Sequence, residues 1–271
     1  MHSIILTIHN ASRTISTGEI LLNKVIDGII NNTVGDYEIL CMLDGCTDDS
    51  EKIVYDYLDK ANVRPIILPD VYELRTNNAG FREAKGDYVI VVQDDQIISE
   101  HGWNKRMQKP FDNFVDVFAV TARTAHNWIF NPNSFYLRYP DAPKNNYNDL
   151  LQSVDEAENR TGLPRNIFAV RSTVNRGPLM INLDDLKKIN YLDDEFAPCD
   201  MDDHDLMFRA YLNLNKVCGC YWIGMEELER RWSASEQNMN YDSQHKNVKI
   251  FYERYGDILN QRRIIENRVL K

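Results

Sequence analysis

The residues best suited to chemistry stand where apolar runs end. Asp94 and Asp95 follow the run Tyr88–Val92 directly. Adjacent carboxylates at the mouth of a buried strand repel each other unless a cation or a hydrogen-bond donor offsets the charge, and a divalent metal bound through oxygen would do so. A second cluster, Asp193, Asp194, Glu195, Asp200, Asp202, Asp203 and Asp205, holds seven acids with no Lys or Arg among them and runs into an apolar helical pattern at Leu206. The dipole of a helix start favours one or two such acids. Seven exceed that need, and solvated loop charge accounts for the others only if none faces a cleft. His9-Asn10 and Asp44-Gly45 also follow apolar runs directly, where simple turn capping is the competing reading.

The elements that must position these residues follow from hydrophobic spacing. Ser3–Ile8 and Tyr37–Leu43 are short, nearly continuous apolar runs, the pattern of parallel strands covered on both faces. Between them Ile15, Leu22, Val25, Ile26, Ile29 and Ile30 recur at helical spacing. Asp48-Asp49-Ser50-Glu51 offers a helix start with a Glu placed to cap, and Ile53, Val54, Tyr57, Leu58 and Ala61 form one apolar face after it. Val63–Leu68 reads as a third strand, Asn78–Lys85 as a helix stopped by Gly86, and Tyr88–Val92 as a fourth strand. This alternation argues for an α/β fold with a doubly wound, mostly parallel sheet flanked by helices. Ligands of such sheets bind outside the carboxyl ends of the strands, which gathers His9, Asn10, Asp44, Asp94 and Asp95 on one rim.

Val115–Thr121 reads as a further strand, after which the rhythm weakens to about Asn175. That stretch concentrates Trp128, Phe130, Phe135, Tyr136 and Tyr139, rings that either line a binding groove or pack a loop onto the sheet. Leu206, Met207, Ala210, Tyr211 and Leu214 mark a helix, and Val248–Leu270 a terminal one.

Composition narrows the function classes. The chain has 271 residues, 43% of them hydrophobic and 27% charged, with Lys plus Arg 31 against Asp plus Glu 41, hence 31 − 41 = −10. That is ordinary globular composition, and the negative balance makes nucleic acid a poor main partner. The five cysteines, at 41, 46, 199, 218 and 220, lack paired CxxC spacing, so reduced thiols in a cytoplasmic protein are expected. The opening residues lack the basic n-region of a signal peptide, and no 18-residue apolar run is long enough to span a bilayer. From Gln244 to Lys271 seven basic residues face three acidic ones, with Val248, Phe251, Tyr252, Tyr255 and Ile258 interleaved. Such a helix rests either on an anionic membrane surface, on a partner subunit or on its own domain.

Six segments, in order, resemble the GT-A glycosyltransferases of family 2. Ser3–Asn10 and Glu38–Asp48 look like the opening strand and the "V-D-D-G-S-T-D" segment. Asn78–Tyr88 is similar to "N-x-G-x-x-x-A-x-G-x-Y", Gln93-Asp94-Asp95-Gln96 falls at the D-x-D-type metal motif, and Leu192–Phe196 resembles "F-D-E-x-F". Asp202–Leu206 with Arg209 resembles "E-D-x-D-L-x-x-R". The match covers residues 3 to 215; single pieces are weak signals, and their shared order is a strong one.

The resemblance implies a GT-A (Rossmann-like) domain over 1–225, with a nucleotide-sugar half at 1–121 and an acceptor and base half at 122–225. A C-terminal helical extension follows over 226–271. It implies transfer of a sugar, with inversion, from a nucleotide-diphosphate donor such as a UDP-sugar to a hydroxyl of a glycan, lipid-linked or protein acceptor. A departing diphosphate needs a divalent cation, Mn2+ or Mg2+, and the implied ligands are Asp95, Asp94 and His245. Thr7, His9, Asn10, Asp44, Asn78 and Asp94 would hold the donor, with Arg75 toward the diphosphate. Asp203, with Asp202 as alternate, matches the position of the general base. Trp128 and Tyr136 are the acceptor-stacking candidates. The chain departs from the pattern at Leu43, Asn77 and Gln93, which replace the first acid of D-D-G, the usual Arg and the first acid of D-x-D. Those losses motivate one rival class, a sugar-nucleotide or glycan-binding protein without turnover. A nucleotidyltransferase, the other rival, would want a basic glycine-rich loop after the first strand, and His9–Arg13 is not one.

Overall fold

The continuous apolar runs become strands because both of their faces are covered. His2–Ile8 forms β1, Tyr37–Asp44 β2, Val63–Leu68 β3 and Tyr88–Gln93 β4. The structure is a computed structural model and describes residues 1–128, 147–152, 164–198, 200–227, 241–259 and 261–271. Along β1, Ile4, Leu6 and Ile8 enter one core layer with Leu22, Val25 and Ile29 of helix α1 (Leu21–Asn32) and with Trp103 and Met107 of α4 (Trp103–Asn113). Ile5 enters the opposite layer with Leu74 and Phe81 of α3 (Tyr72–Glu83). That helix lies so close to β1 that a Cβ on Gly80 would sit 2.7 Å from Ile5.

The remaining elements complete one large sheet and two small ones. Gln96–Ile98 is β5, Val117–Thr121 β6, Thr124–Trp128 β7, Tyr147–Gln152 β8, Ile167–Arg171 β9, Thr173–Val174 β10 and Leu179–Asn182 β11. Val217–Cys220 is β12, Met225–Glu227 β13 and Glu266–Val269 β14. Nine strands run in the order β14-β9-β12-β6-β11-β4-β1-β2-β3, while β10-β7-β8 and β13-β5 stand apart. The β4-β1-β2-β3 portion is parallel, and β11 is inserted antiparallel between β4 and β6. This is the mixed α/β sheet expected from the sequence, with helices on both faces.

Several boundaries differ from expectation for identifiable reasons. The second helix, α2 (Ser50–Tyr55), stops short of Ala61. Helix α3 begins at Tyr72, six residues before Asn78, because Thr76, Asn77 and Asn78 are buried polar residues that hide its apolar stripe. Leu183–Lys188 forms α5, Asp202–Leu214 α6 and Tyr241–Leu259 α7. The terminal helix expected over Val248–Leu270 therefore ends at Leu259, and the chain returns as β14 against β9. Of the aromatic stretch, Phe130, Phe135, Tyr136 and Tyr139 lie outside the described residues. Cys41, Cys46, Cys218 and Cys220 are free thiols. No helix among the described residues is long and apolar enough to cross a membrane.

Candidate active site

At the carboxyl ends of β1 and β2, side chains close the loops by binding backbone. His9 donates from Nδ1 to the Asp44 carbonyl at 2.7 Å, since a carbonyl can only accept. Nε2 of the same ring then accepts from the Asn10 amide at 3.3 Å. Asn10, at a left-handed φ of 52°, takes the Thr47 N–H on its Oδ1 at 2.8 Å. The Asp44 carboxylate accepts the Val71 N–H at 2.8 Å, and Asp48 accepts both the N–H and the hydroxyl of Ser12 at 2.9 and 2.6 Å. Thr7 is half-buried on the same rim. His9, Asp44 and Asp70 also present ligand atoms within 4.8 Å of one another.

At the end of β4, Asp94 accepts the His9 N–H at 2.9 Å. Burial pushes its carboxyl up to about 6, and this hydrogen bond offsets only part of that. Burial likewise raises Asp44. Both acids thus sit where a positive charge would relieve them. Asp94 and Asp95 carry hard oxygen donors of the kind Mg2+ or Mn2+ prefers, while the ligand atoms gathered among the described residues are those of His9, Asp44 and Asp70.

Gln93, at the place of the missing acid, is a hub. Its amide donates to Glu73 at 3.0 Å, and its Oε1 accepts from Gln96 at 3.2 Å and from Arg123 at 3.3 Å. Glu73 in turn lies 3.5 Å from Arg176 Nε, and the Arg176 guanidinium grips both oxygens of Asp202. The Arg176 N–H donates to Asp203 Oδ2 at 3.3 Å. Gly177 makes this approach feasible. It adopts φ 87°, and a Cβ there would lie 2.7 Å from the Gln93 oxygen, so only glycine lets the segment rest on β4. A continuous polar floor thereby joins the end of β4 to the start of α6.

The surplus of acids before α6 resolves into partners. Asp205 accepts from Arg209 at 2.6 Å, Arg254 at 2.8 Å and Tyr255 at 2.6 Å. Arg254 also binds Asp193 and Glu195. Asp202 belongs to Arg176, which leaves Asp200 and Asp203 nearest the cleft end of the helix. Asp200 and Met201 carry left-handed φ values of 84° and 66°, a backbone cost of order 1–3 kcal/mol per residue that marks functional turns. Burial raises the Asp200 carboxyl to about 6, helped by Asp203 and Asp202. Burial works in the same direction on Asp203, but His204 and Arg176 outweigh it and hold that carboxyl well below the usual range.

The structure does not gather every residue singled out from sequence. Asn78 clamps the Leu192 backbone with both amide atoms, at 2.9 and 3.0 Å. Arg75 is exposed and faces Asp194 at 3.7 Å. Trp128 is 3% exposed and packs among His126, His204, Phe251 and Tyr252 with ring centroids 5.3 to 6.2 Å away. Tyr136 and the side chain of His245 fall outside the described residues. Sequence reasoning missed Glu73, Arg176, His126 and His204. Arg176 is a lone cation in an Asn-Arg-Gly-Pro loop, and only its Gly-Pro neighbours signalled a turn.

A chain that ends its parallel strands in carboxylates, and links them to an acidic helix start, has the outline of a GT-A glycosyltransferase domain. The model of the family "Glycosyl transferase family 2" matches residues 3–176, and the chain belongs to that family, with the GT-A fold. It is similar to the "Uncharacterized glycosyltransferase EpsJ" of Bacillus subtilis, 27% identical over 100 residues, which are 36% of this chain and 29% of that one. It also resembles an "Uncharacterized glycosyltransferase" of Haemophilus influenzae, 27% identical over 113 residues, 41% of this chain and 42% of the other. Among solved structures, S. aureus TarS 1-349 in complex with UDP-GlcNAc superposes with a TM-score of 0.54 at 13% identity, over 87% of this chain and 60% of that one. GalNAc-T7 with UDP, GalNAc and Mn2+ superposes with a TM-score of 0.66 at 11% identity, over 95% and 49%. The matches thus span less than half of each curated relative.

Proposed function

We propose that this chain transfers a sugar from a UDP-sugar to an acceptor hydroxyl, with a divalent cation and with inversion. The observation that carries the reading is the polar floor Gln93-Glu73-Arg176-Asp202, which ties the Asp94-Asp95 pair to Asp203. Asp94 and Asp95 would hold Mn2+ or Mg2+, with His245 as a third candidate; the ion, when bound, neutralises charge on the leaving diphosphate. Thr7, His9, Asn10 and Asp44 line the nucleoside end, and Arg123 and Arg176 keep positive charge beside Gln93.

Asp203 would be the base. It is ionised at neutral pH, because its carboxyl is held low, so it can receive a proton without first losing one. Its weak basicity requires transfer to be late, as the new bond to the sugar acidifies the hydroxyl. Tyr136 would contact the acceptor, and the buried Trp128 would stiffen the small sheet beside Asp203. The UDP-bound TarS and GalNAc-T7 structures support the donor class, and Mn2+ in the latter supports the metal. We further propose a cytoplasmic enzyme, whose α7 segment could meet a membrane surface only peripherally.

The test is a screen of UDP-sugars for hydrolysis with and without Mn2+. Metal-dependent turnover of at least one donor is expected. Donor binding without turnover, with or without acceptor extracts, would favour a binding protein in place of an enzyme.

A further inference from the structure

We infer that His204 and His126 form a buried pair that positions Asp203 and aims its Oδ2 at the acceptor, a role that rests on Asp203 as the base. The two oxygens of Asp203 are held unequally. Oδ1 accepts the His204 N–H at 2.9 Å and lies 3.0 Å from His204 Nδ1, an approach too bent for a linear hydrogen bond but close enough for strong attraction. Among the described residues, Oδ2 accepts one hydrogen bond, from the Arg176 N–H at a long 3.3 Å. The second oxygen is therefore the one with capacity left for a hydroxyl proton.

The backbone N–H holds Oδ1 whatever the ring does, but the attraction of Nδ1 persists only if the His204 ring does not turn, and His126 prevents that. The two Nε2 atoms are 3.0 Å apart, and His126 Nδ1 lies 3.2 Å from the Thr173 hydroxyl. Thr173 on β10 pairs directly with His126 on β7, so the line of contacts anchors the base to the small sheet. Trp128 packs edge-on to both rings, at 5.5 and 5.3 Å, and Phe251 lies 6.2 Å from His204. His126 and His204 are 1% and 3% exposed, which is more enclosure than a surface histidine pair would have.

An N···N hydrogen bond holds a single proton, so one ring donates and the other accepts. Burial, and the neighbouring His204, keep His126 neutral. A bare Nδ1 lone pair facing a carboxylate would be repulsive. A proton on His204 Nδ1 therefore faces the carboxylate, and a single proton on the N···N contact joins the two rings. In the transfer itself the acceptor O–H breaks and its proton goes to Asp203 Oδ2. The acceptor oxygen bonds to the sugar carbon, and the electron pair of the broken C–O bond leaves with the nucleoside diphosphate. The histidines gain no proton; they hold orientation.

Among the described residues several groups face the pair, Asn175 beside His126 among them. Arg176 comes from the turn before β11 with Glu73 of α3 behind it, Asp200 and Asp202 from the start of α6, Cys218 from β12 and Tyr252 from α7. Cys218 is pushed up to about 12 by burial, and burial also raises Tyr252. Burial and the neighbouring Asp203 and Asp202 raise Asp200 to about 6.

The experiment compares wild type with His126→Leu, His126→Gln and Asp203→Asn. It reads hydrolysis of UDP-N-acetylglucosamine, UDP-glucose and UDP-galactose with Mn2+ across pH, and nitrogen NMR of the imidazoles without donor. His126→Leu should lower kcat roughly tenfold or more, the scale for losing an orienting partner, with donor KM within about twofold. Its acid limb should move to higher pH, because a freed His204 no longer holds Asp203 low. His126→Gln, whose amide reaches the same place, should recover most of both. The spectra should show His126 neutral at pH 7, and Asp203→Asn should disturb the His204 signals. His204 signals that ignore Asp203→Asn, or a His126→Leu profile identical to wild type while Asp203→Asn is inactive, would overturn the pair. An active Asp203→Asn would overturn the base assignment instead.

Discussion

The two halves of the cleft handle negative charge in opposite ways. On the rim of β1, β2 and β4, Asp44 and Asp94 are held by backbone N–H groups of Val71 and His9, and burial raises both carboxyls. At the start of α6, Asp202 and Asp205 are held by Arg176, Arg209 and Arg254, and Asp203 by His204 and Arg176. On the first side the burial of Asp44 and Asp94 is only partly offset by their neighbours; on the second, Arg176, Arg209 and Arg254 supply positive charge directly. A site that receives a cation with its nucleotide needs the first arrangement, whereas a base that must be ionised on its own needs the second.

The largest effect should come from the internally compensated side. Asp203→Asn should reduce transfer by on the order of 10² to 10⁴, the contribution of a general base, while UDP affinity stays within twofold by calorimetry. A parallel loss of UDP binding would mean that Asp203 serves the donor and would dissolve the contrast between the halves.

Arg176→Met tests the compensation itself. Asp202 would be left buried without its partner, and removal of one member of a buried pair costs about 3–5 kcal/mol, measurable by urea unfolding. Retention of full stability would show that Asp202 is rescued by protonation or by another cation.

Trp128→Ala separates packing from acceptor contact. Loss of a buried Trp costs about 3–5 kcal/mol at the upper end. Thermal stability should fall, and transfer and donor hydrolysis should fall together. A stable variant with a raised acceptor KM alone would return this ring to the acceptor surface.

The smallest effect belongs to the undercompensated rim and appears as a pH dependence. The Asp94 carboxyl sits at about 6 when folded against an ordinary 3.8, so the folded state binds the proton more tightly. Metal-free stability from this group is therefore present below about pH 4 and is lost as pH rises through 6. Asp94→Asn, measured in chelator, should flatten that decline and should not destabilise at pH 7. A destabilised variant at pH 7 would mean that the His9 hydrogen bond outweighs the burial.

Strands β1 to β4 were legible in sequence because parallel strands buried on both faces leave unbroken apolar runs, and the residues that follow them fell on one rim as expected. Strand β14 was not, because Glu266–Val269 lies at the sheet edge with three of its four residues exposed and so carries no alternation. The Asp202-Asp203 pair was visible as local charge density. Its partner Arg176 lies 26 residues upstream of Asp202, and His126, which meets the neighbouring His204, lies 78 residues upstream of that histidine. Each is a single polar residue in a segment without periodicity, and only the closing of β7, β10 and α6 onto one another brings them together.

The contrast between the halves is tested most directly by UDP titration into wild type and Asp95→Asn, each with Mn2+ and with chelator. Wild type should bind UDP tightly with Mn2+ and weakly in chelator, and Asp95→Asn should bind weakly in both. Equal affinity in all four titrations would contradict a rim that awaits a cation.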